Sequence, residues 1–344
     1  MRSISSTLLT QQKTGGGTPY VYLLFTSKDG LTTYDYSSDQ AGRRILLIDH
    51  REEPYQDEAL IVLRNNDRSI PDLRGYWTEP GYGYVTGAGN EHSQTPRLWV
   101  KHQQDFSAGG QLWVMLELEG MWARLRETLM QVGSPPYYDA EDAYSGMTPY
   151  EIMENIIENG MSWTLNALTE DDGIIDTFIP VLDVNVAQYY ESVLSLIYRV
   201  LNMTKSYLRP EQSLAFTVKF PNSGDSIDES YYSFQTHYFY EYLLRTNVLI
   251  PNHVYVYANQ DSETGEWSDI IAGEAKNQTE IDRYADVIDI ELAPTIDNET
   301  DADNRAAAIL TRANAERSSG KLLVPHDSRV QLYDNVAVYD ERGL

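Results

Sequence analysis

The chain of 344 residues contains no cysteine. Neither disulfide bonds nor thiolate metal sites can therefore hold the fold together, and its stability must come from burial of apolar surface or from assembly. Hydrophobic residues make up 42% of the chain and charged residues 23%, which is ordinary for a globular protein. Because single cores stop growing at roughly 250 to 300 residues, this length predicts two or three domains.

Basic residues are scarce. Lysine and arginine together number 26, against 52 aspartates and glutamates, and the net charge is −26. Such a field repels polyanions, and the linear sequence contains no basic patch that would offset it. The composition therefore disfavours stable binding of nucleic acid.

Long apolar runs are missing as well. The first ten residues, Met1–Thr10, lack the roughly 7 to 15 residue apolar stretch of a signal peptide, and no run approaches the roughly 18 residues that span a bilayer. We expect a soluble protein that is not exported by a classical route and has no stable membrane insertion.

The usual catalytic signatures are absent too. The sequence contains no Gly-x-Ser-x-Gly, no Gly-x-x-x-x-Gly-Lys-Ser/Thr, and no Gly-x-Gly-x-x-Gly that leads into a helix. The glycine-rich run Gly81–Gly89 alternates with tyrosines, which favours a strand with a flexible loop over a nucleotide site. Glu170–Gly173 is typical of a turn.

The remaining candidates for metal binding are histidines and one acidic cluster. No two histidines have the i, i+4 spacing of a zinc-protease helix, and we expect surface or hydrogen-bonded strand positions, with His102 and His237 in strand-like segments. Asp297–Asn304 lacks the glycine and terminal glutamate of a calcium loop, so a helix cap is favoured. We therefore assign no catalytic, cofactor-binding or metal residue. The histidines are His50, His92, His102, His237, His253 and His326.

Hydrophobic periodicity divides the chain into β, α-rich and β parts. Residues 1–19 contain Gly15–Gly17 and are predicted to be a flexible arm. Residues 20–125 form a mainly β domain, because short β-branched and aromatic segments recur between turn residues in the pattern of a sandwich or barrel. The predicted strands are Tyr20–Thr26, Arg44–His50, Ala59–Asn65, Leu73–Thr78, Arg97–Gln103 and Gln111–Leu118, with a hairpin turn at Ser107–Gly110.

Residues 126–212 are predicted to be a helix-containing middle domain. Thr148 is a good N-cap for a helix over Pro149–Asn159, and a second helix is expected over Val186–Leu201. Residues 213–344 return to β structure, with an alternating strand at His253–Tyr257. A helix near 300–318 is predicted to be capped by Thr300, with a small face of Ala302, Ala306 and Ala313 that suits close packing on a sheet.

The order of these elements resembles that of the tail or baseplate hub proteins of bacteriophages and related contractile injection systems. Each matching segment is degenerate, and the likeness lies in their order along most of the chain. The segments are Leu60–Leu63 with Asp72–Gly75, Thr148–Met153 with Ile156–Ile157, Glu191–Met203, Thr246–Val256, Arg305–Ala313, Gly320–Asp327 and Val336–Asp340.

The resemblance implies an α+β, mainly β fold with two tube-like antiparallel β-barrel domains and a helix-containing insert. It implies a non-enzymatic virion protein, made in the host cytoplasm and located at the tail tip or baseplate, with no cofactor. Three copies would present six barrels as one pseudo-sixfold ring. The implied partners are further copies of the chain, tail tube protein, distal tail or baseplate proteins, and a spike or fibre.

The same resemblance implies a channel through which DNA passes only in transit. Three chains of −26 carry −78, and like-charge repulsion would let DNA slide without sticking. Many hub proteins continue into a spike or a lysozyme domain, whereas this sequence ends at Gly343-Leu344, so we expect those parts on separate chains.

A second function from another class stays open at this point. A carbohydrate-binding or glycan-degrading β protein would use the 26 tyrosines and 6 tryptophans as sugar platforms and a pair of carboxylates as catalysts. A trimer with a central hole favours the hub, and a monomer that binds or depolymerises a glycan favours this alternative.

Overall fold

The computed structural model describes residues 1–132, 137–138, 144–180, 191–222, 224–246, 250–260, 267–293, 296, 298–316 and 318–341. Within these ranges the fold is mainly β, with six α-helices and mostly antiparallel sheets. Three apolar cores follow one another along the chain. None of the helices in this part of the chain is both long and apolar enough to cross a bilayer.

The first core lies in a seven-stranded antiparallel sheet of order β3-β2-β6-β9-β10-β5-β4. A smaller sheet has the order β1-β7-β8. Alternate residues of β5, namely Ala59, Ile61 and Leu63, are buried, as the period of a strand with one core face requires. The strands are β1 (Thr18–Tyr22), β2 (Leu24–Thr26), β3 (Thr33–Asp35), β4 (Ile45–Glu53), β5 (Gln56–Arg64), β6 (Trp77–Thr78), β7 (Gly81–Thr86), β8 (Gly89–Gln94), β9 (Leu98–Ala108) and β10 (Gln111–Glu119).

The strands that the sequence predicts in this region are confirmed, although β6 keeps only two residues of Leu73–Thr78. The predicted hairpin turn is confirmed as well. Gly109 and Gly110 connect β9 to β10 with φ of 59° and 76°. Only glycine adopts such backbone angles at no steric cost, so the two-residue turn depends on both.

The second core packs helices against a small sheet. Trp122 of α2 is fully buried, and its ring centroid lies 5.1 Å from that of Phe216. Phe216 and Val218 belong to this core, which therefore continues past residue 212, where the sequence analysis ends the middle domain. The elements are α2 (Met121–Glu127), β11 (Gln131–Val132), β12 (Tyr137–Tyr138), α3 (Pro149–Glu154), β13 (Thr164–Leu165), α4 (Val193–Asn202), β14 (Tyr207–Glu211) and β15 (Ala215–Lys219), with a π-helical turn at Asn155–Gly160.

The N-cap predicted at Thr148 is confirmed. Its Oγ1 accepts a hydrogen bond from Glu151 N at 3.3 Å, and the Glu151 carboxylate accepts one from Thr148 N at 2.8 Å. This reciprocal capping box satisfies two backbone donors at the start of α3. The helix predicted from Val186 is present as α4, and residues 186–190 of that prediction lie outside the described residues.

Beyond residue 228, the described residues form a C-terminal module of three small sheets and two helices. β16 (Glu229–Tyr232) and β22 (Val336–Tyr339) form a parallel pair. β17 (Glu241–Thr246) and β21 (Ser318–Leu323) form an antiparallel pair. In the third sheet β18 lies between the other two strands. Its strands are β18 (His253–Gln260), β19 (Trp267–Lys276) and β20 (Ile288–Leu292), and the helices are α5 (Gln278–Arg283) and α6 (Glu299–Glu316).

Helix α6 confirms the helix predicted near 300–318 but begins with a different cap. Asn298 Oδ1 accepts a hydrogen bond from Asp301 N at 2.9 Å, so Asn298 takes the role that the sequence analysis gives to Thr300. Ala302 and Ala306 are fully buried against β18 and β19, as the alanine face predicts. A β-carbon on Gly273 of β19 would lie 2.1 Å from the backbone carbon of Ala302, so the helix rests directly on the strand.

The N-terminal residues, for which the sequence predicts a flexible arm, contain a helix. α1 (Ser6–Thr14) is capped by Ser5, whose Oγ accepts from Leu8 N at 3.0 Å. Gln12 is buried and donates to Asp327, 315 positions further along the chain, at 2.8 Å. Because the contacts that stabilise α1 are this distant in sequence, local periodicity gives no sign of them.

The two barrels implied by the resemblance are not closed in the described part of the chain. The seven-stranded sheet ends at β3 and β4, and the C-terminal strands remain in three separate sheets. Among the residues that the structure describes, each sheet therefore ends in edge strands whose outer side is paired with no other strand.

We predict that Gly273→Ala destabilises the protein by about 1–3 kcal/mol, because the added methyl group must push α6 away from β19. Urea unfolding measures this change. Gly87→Ala is the matched control, since nothing lies within 4 Å of its β-carbon position, and its effect should stay within about 0.5 kcal/mol. Equal effects of the two substitutions would contradict the close packing.

Candidate assembly surface

A cluster of buried polar side chains joins β16, the bend at His237 and the loop after β21. Glu229, His237 and Asp327 bring side-chain N and O atoms within 4.8 Å of one another, an arrangement compatible with a metal ion. His237 Nε2 lies 3.3 Å from Asp327 Oδ2, and Nδ1 lies 3.4 Å from Glu229 Oε1. The geometry alone therefore makes this cluster a candidate site.

Two basic side chains of the protein already neutralise these carboxylates. Arg329 Nε donates to Asp327 Oδ1 at 3.0 Å and Arg329 also donates to Glu229, while Lys13 Nζ of α1 lies 2.7 Å from Glu229 Oε2. Asp327 accepts two further hydrogen bonds, from Gln12 and from the Tyr231 hydroxyl at 3.1 Å. A metal ion would have to displace these donors, so the cluster is better explained as an ion-pair network that attaches α1 to the C-terminal module.

The charges in this network shift the ionisation of its members. Burial opposes ionisation of Asp327, but hydrogen bonds from His237 and Arg329 outweigh it and hold the pKa of Asp327 below its usual range. For Glu229 too, burial raises the pKa, but hydrogen bonds from Lys13, Ser230 and Arg329 outweigh it and lower the pKa from 4.5 to about 2. Both carboxyl groups are therefore ionised over the physiological range.

Of the other histidines, His326 precedes Asp327 in the chain and lines a cavity together with Asp327 and His50. His102 lies in strand β9, as predicted. The prediction that His237 lies in a strand is wrong, because His237 lies in a bend with φ of 64°. His253 of β18 contacts Asp286 Oδ1 at 3.0 Å and Glu274 Oε1 at 2.9 Å. His50 Nδ1 lies 3.0 Å from the hydroxyl of Tyr82.

The acidic and glycine-rich candidates have structural roles in the described residues. Asn298 and Asp301 form the cap of α6, and Asp303 Oδ1 accepts from Glu274 N at 3.0 Å; residue 297 lies outside the described residues. Asp171 Oδ1 accepts from Gly173 N at 2.7 Å, as in the predicted turn. The first part of the glycine-rich run is strand β7, which pairs with β1 and β8.

In the described part of the chain, α6 covers one face of the sheet of β18, β19 and β20, and no element covers the other face. Val254 and Val256 point toward α6 and are fully buried. The strand register places Tyr255 beside Ile290, and Tyr257 beside Leu292, on the other face. Four aliphatic side chains there are 52–59% exposed, namely Ile270, Ile288, Ile290 and Leu292. We call this uncovered apolar surface the open face.

The pair β17–β21, which we call the ribbon, is a second exposed apolar element. Leu243 and Leu244 are adjacent and therefore point to opposite faces, yet each is 57% exposed. An isolated two-stranded ribbon is at best marginally stable in water. Because the ribbon exposes leucine on both faces, it has the character of an element that completes its packing in an assembly. Sequence periodicity alone does not reveal this, since it cannot show which apolar residues stay uncovered.

Solved structures resemble this chain in fold at low sequence identity. No protein-family model matches it, and no curated protein matches it. A tail protein from Neisseria meningitidis superposes with a TM-score of 0.63 at 12% identity, over 94% of this chain and 87% of that one. The 43 kDa tail protein of prophage MuSo2 from Shewanella oneidensis gives 0.61 at 11% identity, over 94% and 89%.

A third solved structure shows the same fold over a smaller part of the chain. The prophage tail protein gp18 from Listeria monocytogenes gives a TM-score of 0.51 at 11% identity, over 83% of this chain and 76% of that one. At this level of identity the similarity shows a shared fold. The fold of this chain is therefore that of solved phage tail proteins, as the resemblance of its sequence to tail and baseplate hubs implies.

We predict that Asp327→Asn destabilises the protein by about 3–5 kcal/mol, because it leaves the buried Arg329 with half of its countercharge. Asp72→Asn is a matched control, since Asp72 and Arg74 have the same Asp-x-Arg spacing but their side chains are 58% and 65% exposed. The control should lose no more than about 1 kcal/mol. Urea unfolding of both variants measures the difference, and similar losses would contradict the network.

We also predict a pH-dependent difference between the parent protein and Glu229→Gln. Because folding lowers the pKa of Glu229, its ionised form adds stability above pH 4.5, and this contribution disappears as the pH falls through about 2. The stability gap between the two proteins should therefore be largest near neutral pH and shrink below pH 4.5. Denaturant midpoints across this range measure the gap, with the exposed Glu53→Gln as control; a constant gap would refute the assignment.

Proposed function

We propose that the protein is a non-catalytic structural hub of a phage tail or a related injection device. It acts as a trimeric ring that joins the sixfold tail tube to a threefold central spike or fibre. The observation that carries the proposal is the fold shared with two tail proteins over 94% of the chain. The order of a β module, a helical module and a second β module supports the same role.

The proposed domains follow the sequence analysis. Residues 20–125 and 213–344 are the two tube-like domains and residues 126–212 form the insert, whose core also includes Phe216 and Val218. Residues 1–19 are the exception, because α1 is attached to the C-terminal module in place of the predicted flexible arm. Each tube-like domain is completed by its neighbours in the ring, which is how an open sheet with apolar edges avoids aggregation. Six such domains from three subunits provide the pseudo-sixfold contact with tail tube protein.

The net charge of −26 supports a channel through which DNA passes without binding. The proposed partners are other copies of the chain, tail tube protein, distal tail or baseplate proteins, and a spike or fibre at the virion tail tip. Lys13 and Arg329 form ion pairs with the buried carboxylates of Glu229 and Asp327. This carboxylate pair is therefore poorly suited to transfer protons in glycan cleavage, which the alternative function would require.

We predict that the purified protein forms a complex of three 39.2 kDa chains with a central hole. Mass measurement across a range of concentrations and negative-stain images provide the test. A monomer at every concentration would contradict the hub. If that monomer bound or depolymerised a glycan, the carbohydrate-active alternative would replace it.

A further inference from the structure

We propose that the ribbon of one copy pairs with the edge of β20 in the next copy, so that the three-stranded sheet becomes five-stranded across the subunit boundary. The partner that binds the outer edge of β20 is thus a second copy of the same chain. The number of copies in the ring rests on the proposed function, whereas the contact itself does not. The contact is heterologous, because each copy contributes the ribbon on one side and β20 on the other.

The first support is that each element has an unpaired edge. β20 pairs with β18 on one side, and no strand of the described residues pairs with its other side. The ribbon contains only β17 and β21, so the outer edge of β17 is likewise unpaired in the part of the chain described. An exposed strand edge is a template for pairing with another strand, and six-residue β17 matches five-residue β20 in length.

Charge supplies the second support. Arg245 of β17 is exposed in a chain of net charge −26, and Asp289 of β20 is exposed as well. Neither side chain has an ion-pair partner among the residues that the structure describes. The basic residue on the ribbon and the acidic residue on β20 are therefore complementary, whereas most other surfaces of two copies repel each other.

The side-chain pattern selects one register. In an antiparallel pair with Arg245 opposite Asp289, Leu244 lies opposite Ile290 and Tyr242 lies opposite Leu292. Leu244 and Tyr242 then extend the open face, while the ion pair lies on the face of α6. The parallel arrangement with the same ion pair places Tyr242 opposite Asp286 and loses one apolar pair. Antiparallel pairing is therefore favoured.

The absence of cysteine makes this register directly testable by disulfide cross-linking. Directly opposed residues of an antiparallel pair have Cα atoms roughly 4.5–5.5 Å apart, within the range that a disulfide spans. The double variant Leu244→Cys/Ile290→Cys, oxidised in the assembled full chain, should give covalent dimers and trimers on a non-reducing gel. The side chains of Leu244 and Ile290 are 57% and 59% exposed, so the double variant should still fold. Circular dichroism checks that it does.

Two controls define the contact. Leu244→Cys/Asp289→Cys should give at least roughly tenfold less product, because a shift of one residue places the thiols on opposite faces. Each single variant alone should not cross-link, but a mixture of the two single variants should give a dimer and no trimer. Cross-linking of Leu244→Cys alone would show an isologous contact and overturn the proposal.

The outcome also separates this contact from the proposed function. A trimer by mass whose double variant does not cross-link would overturn the ribbon contact and leave the hub intact. A protein that stays monomeric and does not cross-link would overturn both. Cross-linked products larger than a trimer would support the contact and contradict the threefold ring.

Discussion

One constraint shapes the C-terminal module: the sheet of β18, β19 and β20 has apolar residues on both faces, but among the described residues a helix covers one of them. α6 buries Val254 and Val256, and contact is close because Gly273 has no side chain. The other face presents Ile288 and Ile290 to solvent. An exposed apolar surface of this kind is typical of a site that another protein surface covers.

The ion-pair network fixes the loop that follows the ribbon. Arg329 connects Asp327 to Glu229, and Lys13 and Gln12 of α1 hold the same two carboxylates from the N-terminal side. The loop after β21 is thus fixed at the end of the ribbon by charged groups that are largely withdrawn from solvent. Fixing this loop limits the freedom of the ribbon before assembly, and a preorganised element loses less entropy when it binds.

Local signals in the sequence predict much of the fold. The β-branched and aromatic segments become strands of the first sheet, Thr148 caps its helix, and the alanine face of α6 packs on a sheet. Signals that depend on distant partners are missed. β20 is an exception, because Ile288–Leu292 alternates apolar and acidic residues in the period of a strand and was predictable locally. The network escapes prediction because Lys13, Glu229 and Asp327 are far apart in sequence. The open face is missed because periodicity separates two faces of a strand without showing which one stays uncovered.

Backbone hydrogen exchange of Ile288–Leu292 reports whether the outer edge of β20 becomes hydrogen-bonded when copies of the chain associate. The measurement compares dilute, dissociated protein with the assembled complex. If the ribbon of one copy pairs with β20 of the next, the amides of β20 and of β17 become protected together on assembly, while those of the covered strand β18 change little. Assembly that leaves the exchange of β20 unchanged would contradict this pairing.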